Sequence, residues 1–338
     1  MKKSTLFPIL LMGVSLSFFS CSDDDPDNNA QGWTFDLLPN DTGTKPTEAQ
    51  MSATVTQYVD HVVLPTYKDL LDKMTAYTAA VDKFVASNSQ NDLSDACTAW
   101  RAARVPWEQS EAFLFGVADK GLYDPSLDSW PLDKNGIDKI IESGDFSNVD
   151  GDVDDDEDAP ADAPQNLRGF HTAERMLFDN GDPRQISKSP FSDNEKKYLQ
   201  IVSKHMLKDV TALYNGWDKG LGDINVPTSY GEAMKKHDGT SAYTGLSSIY
   251  QAIETILNGN NGMAGISNEV GTAKIQDPVD KWNESNKDAS DPNNPGVLAV
   301  ESWYSWNSID DYANNIVSIK NSYFGGCLLY TSPSPRDM

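Results

Sequence analysis

His171 and Glu174 have the residue types and spacing best suited to chemistry in this chain. They stand three apart in the stretch Gly169-Phe170-His171-Thr172-Ala173-Glu174-Arg175-Met176-Leu177-Phe178, which reads as a helix. Leu167, Phe170, Glu174, Leu177 and Phe178 recur at helical spacing and mark its inward face. Side chains three apart on a helix are neighbours, so an imidazole and a carboxylate here can converge on one ion. Gly169 has no side chain and admits close approach of another element. The competing reading is a satisfied polar pair in a core, the commoner outcome for such spacing.

Other charges lie on apolar stripes. Trp100, Arg104, Trp107 and Glu111 share one face of a long helix expected from Leu93 to Ala118, which Pro106 should bend near Glu108. Charge on such a face is costly unless paired, so Arg104 and Glu111, two turns apart, read as a structural pair or as a carboxylate held toward a pocket. The loop from Gly121 to Asp133 carries prolines, Trp130 and three aspartates, the make-up of a pocket wall. Asp311 lies on a polar line with Tyr304, Ser308 and Asn315 in a last helix expected over Val297–Phe324. The run Asp150–Asp158 lacks the Gly and closing Glu of a calcium loop and reads as a solvated segment. His205 and His237 have no partner at ligand spacing and read as structural or exposed.

The elements that must position these groups are helical. A pattern from Thr47 to Val85 should be kinked or split at Pro65. A helix opens at Ser192 with the Ser192/Glu195 capping box and runs to Trp217. Weaker helices follow over Tyr243–Leu257 and Ile266–Trp282. No stretch alternates like a strand for long, and there is no Gly-rich phosphate loop, no nucleophilic Ser–His–Asp spacing and no HExxH. The fold class is all-α. With 27 basic against 51 acidic residues, the chain lacks the basic surface that nucleic-acid binding needs.

The ends have their own logic. Lys2, Lys3 and the apolar run Leu6–Phe19 form a targeting signal over residues 1–20, too short for a comfortable membrane span. Cys21 follows immediately and resembles a bacterial lipoprotein acylation site. Ser22-Asp23-Asp24-Asp25 resembles the acidic export tag of surface lipoproteins. Residues 21–46 read as an acidic tether. Cys97 sits in an apolar helical pattern as a buried thiol. Residues 327–338, including Cys327, have the character of translated sequencing-adapter DNA, so no function is read from them.

Four segments in order resemble the imelysin family, also classed as a metallopeptidase family. Gly169, His171 and Glu174 match its GxHxxE motif. Arg104, Trp107, Glu108, Glu111, Ala112, Phe113, Phe115 and Gly116 match a second segment. Asp128–Asp133 match a loop, and Glu301, Ser302, Ser305, Asp311, Asn315 and Ile316 match a later pattern. The resemblance covers roughly residues 47–326. It implies two antiparallel helical-bundle domains, over 47–185 and 186–326, the second truncated at its C-terminus. It implies a surface or periplasmic lipoprotein that binds metal, iron foremost, as a component of iron uptake. A zinc-dependent peptidase and a non-catalytic binding scaffold are the alternatives, and whether the chain is an enzyme stays open. The expected metal ligands are His171, Glu174, Glu111 and Asp311, with Arg104, Trp107, Glu108, Asp133 and Ser302 orienting them. The expected partners are a metal ion (iron or zinc) or a metal-bearing ligand, and an outer-membrane transport protein, with membrane contact through the lipid on Cys21 alone.

Overall fold

The computed structural model describes residues 46–153, 163–243, 245–259, 261–291 and 294–325. Cys21, the tether up to residue 45, residues 154–158 of the acidic run and residues 327–338 lie outside them.

The first helix, α1 (Glu48–Tyr58), passes through a wide π-helical turn (Val59–Val63) into α2 (Leu64–Ser87). Pro65 falls in the first turn of α2, directly after the π turn, whose last bond runs from the Leu64 N–H to the Val59 carbonyl. The expected break therefore takes the form of a π turn just before the proline. Asn88 closes α2 in the left-handed region (φ 51°), and the Ser89 hydroxyl accepts the Asp92 N–H at 3.2 Å to open α3 (Gln90–Glu108).

α3 is shorter than its apolar pattern suggests. Pro106 lies in its last turn, and the chain then runs through a 3-10 turn (Glu111–Phe113), α4 (Val117–Lys120) and α5 (Tyr123–Asp128). Thus the segment expected to be loop between Gly121 and Asp133 contains a short helix. Next come α6 (Lys134–Ser143), a 3-10 turn (Pro164–Leu167) and α7 (Gly169–Leu177). A two-residue antiparallel hairpin, β1 (Phe178–Asp179) with β2 (Asp182–Pro183), follows α7. α8 (Asp193–Asp218) opens with the expected capping box, both reciprocal bonds being present.

The remaining helices are α9 (Tyr230–Lys236), α10 (Ile249–Asn258), α11 (Met263–Glu269), α12 (Asp277–Glu284), α13 (Pro295–Leu298) and α14 (Ser308–Phe324). A second π turn, Val270–Gln276, joins α11 to α12. The helix expected over Val297–Phe324 is broken by turns between α13 and α14. Ser302 (φ 53°) and Trp306 (φ 55°) adopt left-handed conformations there that no helix continues through.

The described part is all-α, with one small hairpin. α2 packs along both α3 and α8, α7 touches α3 and α8, and α14 lies across α3 and α11. The described residues from Glu48 onward form one compact unit. Tyr67, Leu70, Met74, Tyr77 and Phe84 of α2, Trp100 and Trp107 of α3, and Tyr198 and Trp217 of α8 are fully buried. Each such large side chain contributes roughly 1.5–3 kcal/mol by leaving water.

α7 is seated by its first residue. Gly169 has φ +84°, and a Cβ there would lie 2.4 Å from the Leu127 carbonyl oxygen. That close approach sets α7 against the end of α5. Gly169→Ala should lower unfolding free energy by about 2–3 kcal/mol, through forced left-handed strain plus the clash. Urea unfolding of the two proteins measures this; coincident midpoints would contradict it.

Candidate metal centre

Five segments supply one buried polar cluster. α3 carries Arg104, Trp107 and Glu108; the end of α5 carries Asp128; α7 carries His171 and Glu174. The turn before α14 gives Glu301, Ser302 and Ser305, and α14 gives Asp311 and Asn315. Arg104, Glu108, His171 and Glu174 are fully buried.

The imidazole is held from one side. His171 Nδ1 lies 3.0 Å from Glu174 Oε2, and Glu174 Oε1 accepts both the Ser305 N–H and the Ser305 hydroxyl at 2.7 Å. With Nδ1–H donating to Glu174, neutral His171 turns the Nε2 lone pair to the other side. Nε2 there lies 3.1 Å from Asp128 Oδ1 and 3.6 Å from Glu301 Oε1. Neither lies on a hydrogen-bonding line, so Nε2 is a buried polar atom without a hydrogen-bond partner. Carboxylate, imidazole and then an open nitrogen facing oxygen donors is the arrangement in which a metal-ligating histidine is usually fixed. Ligand atoms of Asp128, His171 and Glu301 lie within 4.8 Å of one another, as do those of Glu108, Glu111 and Asp128.

Arg104 ties the cluster together. Its guanidinium pairs with Glu108 and Asp128, with Glu301 Oε1 at 3.2 Å and with Asp311 Oδ2 at 3.1 Å. The Trp107 indole donates to Asp128 Oδ2 at 2.6 Å. Ser302 and Asn307 donate to the two oxygens of Asp311 at 2.5 and 2.6 Å. Asn315 donates to Glu108 Oε2 at 2.5 Å. From the π turn, Lys274 reaches Glu301 Oε2 at 2.7 Å.

The charges do not balance. Glu108, Glu111, Asp124, Asp128, Glu174, Glu301 and Asp311 are seven carboxylates in or beside the cluster, against the two fixed cations Arg104 and Lys274. Burial pushes the Glu108 and Glu111 carboxyls well above the usual range, and Arg104 and Lys274 only partly offset it. Burial, aided by Asp128, pushes Asp124 up to about 7. Against the same burial, Arg104 and His171 hold Asp128 below the usual carboxylate range, and Lys274 and His171 hold Glu301 down at about 2. Burial disfavours the His171 imidazolium, but Asp128, Glu174 and Glu301 outweigh it and raise His171 well above its ordinary value. Without another cation the cluster must take up protons. One imidazole nitrogen with carboxylate oxygens suits iron or zinc better than calcium, which takes all-oxygen shells. The residues present therefore fit a transition-metal ion.

A cavity of about 660 Å³ opens beside this cluster. Asp128, Glu301, Glu111, Trp130 and Lys274 are among its walls. The Trp130 ring packs edge-on against His171, with centroids 4.9 Å apart.

The sequence profile of the imelysin family matches residues 63–337. The chain belongs to the imelysin family. Among relatives, it is 25% identical over 273 residues to iron-regulated protein A of Synechococcus elongatus, the match covering 80% of this chain. The chain spans 64% of the length of that curated relative. Among solved structures, it is similar to the crystal structure of an iron-regulated protein A precursor from Parabacteroides distasonis. That match has a TM-score of 0.82 at 70% identity and covers 87% of this chain and 79% of that one.

This imelysin-family chain places its sequence-marked residues as follows. His171 and Glu174 are in contact, Glu174 as the group that orients the ring. Asp311 is in the same cluster, with its oxygens taken by Arg104, Ser302 and Asn307. Glu111 follows the end of α3 and lines the cavity. It does not pair with Arg104, whose partner one turn on is Glu108. Trp107, Glu108 and Ser302 all touch charged members of the cluster. Asp133 caps α6 instead, accepting the Gly136 N–H at 2.9 Å. The carboxylates facing Nε2 are Asp128 and Glu301. Both stood in the motif segments, but nothing in their spacing distinguished them from neighbouring acids. Lys274 carried no sequence signal, because its π turn obeys no simple helical period. His205 is buried between Asp150 (2.9 Å) and Asp209 (3.2 Å), and His237 is half-buried against Ser52.

The raised groups dictate a pH dependence. Folded Asp124, at about 7 against an ordinary 3.8, keeps a proton that the unfolded chain gives up, so stability falls as pH rises through that window. Glu108 and Glu111 act in the same direction. His171 contributes stability fully below about 6.5 and loses it as pH rises through its raised value. Glu301, depressed to about 2, contributes above its ordinary 4.5 and loses that as pH falls. Chelator-treated protein should therefore be most stable near about pH 4–5 and lose urea resistance toward pH 8. Asp124→Asn should flatten that slope. A midpoint that rises from pH 5 to pH 8 would refute the charge reading.

Proposed function

We propose that this imelysin-family chain is a metal-binding component of iron acquisition working outside the cytoplasm. His171 Nε2, Asp128 and Glu301 would hold the ion, with Glu111 and Glu108 offering further oxygens on the other side of Asp128. The observation that carries this is the buried Nε2, fixed by Glu174, without a hydrogen bond and facing Asp128 and Glu301 at 3.1 and 3.6 Å in a cluster short of positive charge. Two relatives bearing the name iron-regulated protein A support iron as the biological ion. When bound, the ion would supply the positive charge that protons otherwise provide, so loading should release protons. The residues' own part is plain: Glu174 fixes the tautomer, Ser305 fixes Glu174, and Arg104 keeps the carboxylates together, pairing with the same Asp128 Oδ1 and Glu301 Oε1 that face Nε2, so that an ion there would share those oxygens with it.

Location belongs to the same proposal. Cys21 behind an apolar signal and ahead of an acidic tag supports a lipid-anchored protein of the outer membrane, facing outward and serving a transport partner there. No helix among the described residues is long and apolar enough to cross a membrane. One acyl chain binds only marginally, so the anchor would need the several chains a lipoprotein carries. Cys21→Ala should move the protein from the membrane to the soluble fraction; unchanged fractionation would remove the anchor.

Calorimetric titration with ferrous and zinc ions under anaerobic conditions tests the site. Wild-type protein should bind, His171→Ala should bind roughly 100-fold more weakly or worse, and Glu174→Gln should lose about 10–100-fold. Equal affinity in wild type and His171→Ala would sink the assignment. Chelator-sensitive cleavage of an unfolded protein, abolished in His171→Ala, would replace the uptake reading with a peptidase.

A further inference from the structure

The cavity is larger and less polar than an ion requires. A hexahydrated ion needs room for six waters, about 180 Å³ at roughly 30 Å³ each, against about 660 Å³ here. That volume falls within the range of pockets for small organic molecules, about 300–1,000 Å³. One part of its wall is apolar: Trp130, Pro125, Pro131 and Leu298. The other part is acidic.

The acidic groups are not equivalent. Asp277 pairs with Lys281 at 2.6 Å, and Glu269 and Glu301 share Lys274 at 3.4 and 2.7 Å. The two wall lysines are thereby matched. Glu111 and Asp124 have no hydrogen bond or ion pair to any described residue, although Glu111 is only 5% exposed. A carboxylate that is nineteen-twentieths buried, turned to a cavity and given no hydrogen bond or ion pair, with only the more distant attraction of Lys274, is a costly group to keep without a ligand. Glu111 and the half-buried Asp124, beside the Trp130 indole and a proline-lined wall, suit ammonium groups carried on an apolar carbon chain. The ammonium pairs with carboxylate, and the chain and charge also favour the aromatic face.

We propose that the cavity binds an organic amine with ammonium groups spaced along an aliphatic chain, held by Glu111 and Asp124 and flanked by Trp130. This site adjoins the ion position at His171 Nε2 and shares with it the Asp128–Glu301 wall and Glu111, but not His171. The binding needs no metal, and an anionic molecule is excluded by the unmatched negative charge of the wall.

The test is calorimetric titration of the full chain with spermidine and with the diamine putrescine, at physiological salt to suppress attraction to the acidic surface. An aliphatic diol of matching length is the uncharged control. Wild type and His171→Ala should bind the amines alike, and the diol should not bind. Glu111→Gln and Asp124→Asn should each weaken binding about tenfold, and Trp130→Leu should weaken it as well. General attraction to the 51 acidic residues would leave single neutralisations without effect, and that outcome overturns the proposal. So does absence of amine binding while His171-dependent metal binding persists, which would leave the ion site standing alone. Loss of binding in a variant counts only if its urea midpoint shows it folded. Trp130→Phe, which keeps an aromatic face, should retain most of the affinity.

Discussion

The structure around the candidate site depends on one buried guanidinium. Arg104 sits within reach of four carboxylates, two of them about 200 residues away in sequence: Glu301 and Asp311. Taking an arginine out of water costs several kcal/mol, and its attraction to one carboxylate seldom does more than offset that. Four carboxylates change the balance for the arginine while leaving the carboxylates short of charge. Arg104 therefore works as a tie among α3, α5, the turn before α14 and α14 itself. Those four segments cannot separate without exposing a cation to apolar surroundings or stranding several anions.

The turn before α14 is where this tie becomes a site. Residues 299–307 fold back through two left-handed residues, a conformation that costs of order 1–3 kcal/mol at each non-glycine position and persists only under strong local constraint. The constraints are visible. Arg101 donates to the carbonyls of Gly181 and Ser305 and to the Asn307 side chain. Glu174 takes both donors of Ser305, and Ser302 is tied to Asp311. The turn is thus held from α3, α7 and α14 together, and Glu301 is presented to His171 as a consequence. The imidazole is oriented through the same contacts, because the carboxylate that fixes it is itself fixed by the turn.

Much of this was legible in the sequence, and the parts that were not share a cause. Helix existence followed from apolar spacing at Tyr67, Leu70, Met74 and Tyr77, and the Ser192/Glu195 capping box gave the start of α8. Charged residues on or beside apolar stripes pointed correctly to burial of His171, Glu174 and Arg104, whereas Asp311, read on a polar line, is buried too. Periodicity failed wherever the backbone departed from the α period. It ran α3 on to Ala118 when Pro106 and the 3-10 turn end it at Glu108, and so it matched Arg104 with Glu111 instead of Glu108. It bridged the left-handed turns at Ser302 and Trp306 with one helix. It gave Lys274, on a π turn, no face at all. Which carboxylate confronts His171 is decided by how α5 and the turn before α14 approach α7. That is a tertiary property to which the GxHxxE spacing contributes only the seat at Gly169.

The ion position and the cavity are neighbours with different solutions to one electrostatic problem. Against the core, charge is matched by short contacts to Arg104, Ser302 and Asn307, so Asp311 has little capacity left for a mobile cation. At the cavity the matching stops at Lys274 and Lys281, leaving Glu111 and Asp124 directed to exchangeable contents. The gradient runs from more to less compensated carboxylates over the width of α5, whose Asp128 pairs with Arg104 while Asp124, one turn away, has no ion pair. A chain with a net charge of −24 already concentrates cations near its surface. A cation entering the cavity would move from a weakly screened exterior to progressively drier carboxylates, gaining attraction as the local dielectric falls. The same fall makes the innermost groups the most expensive to leave unpaired. Arg104 is therefore placed at the dry end, where a fixed charge is needed at all times, and the unmatched carboxylates face the wet end, where a ligand can come and go.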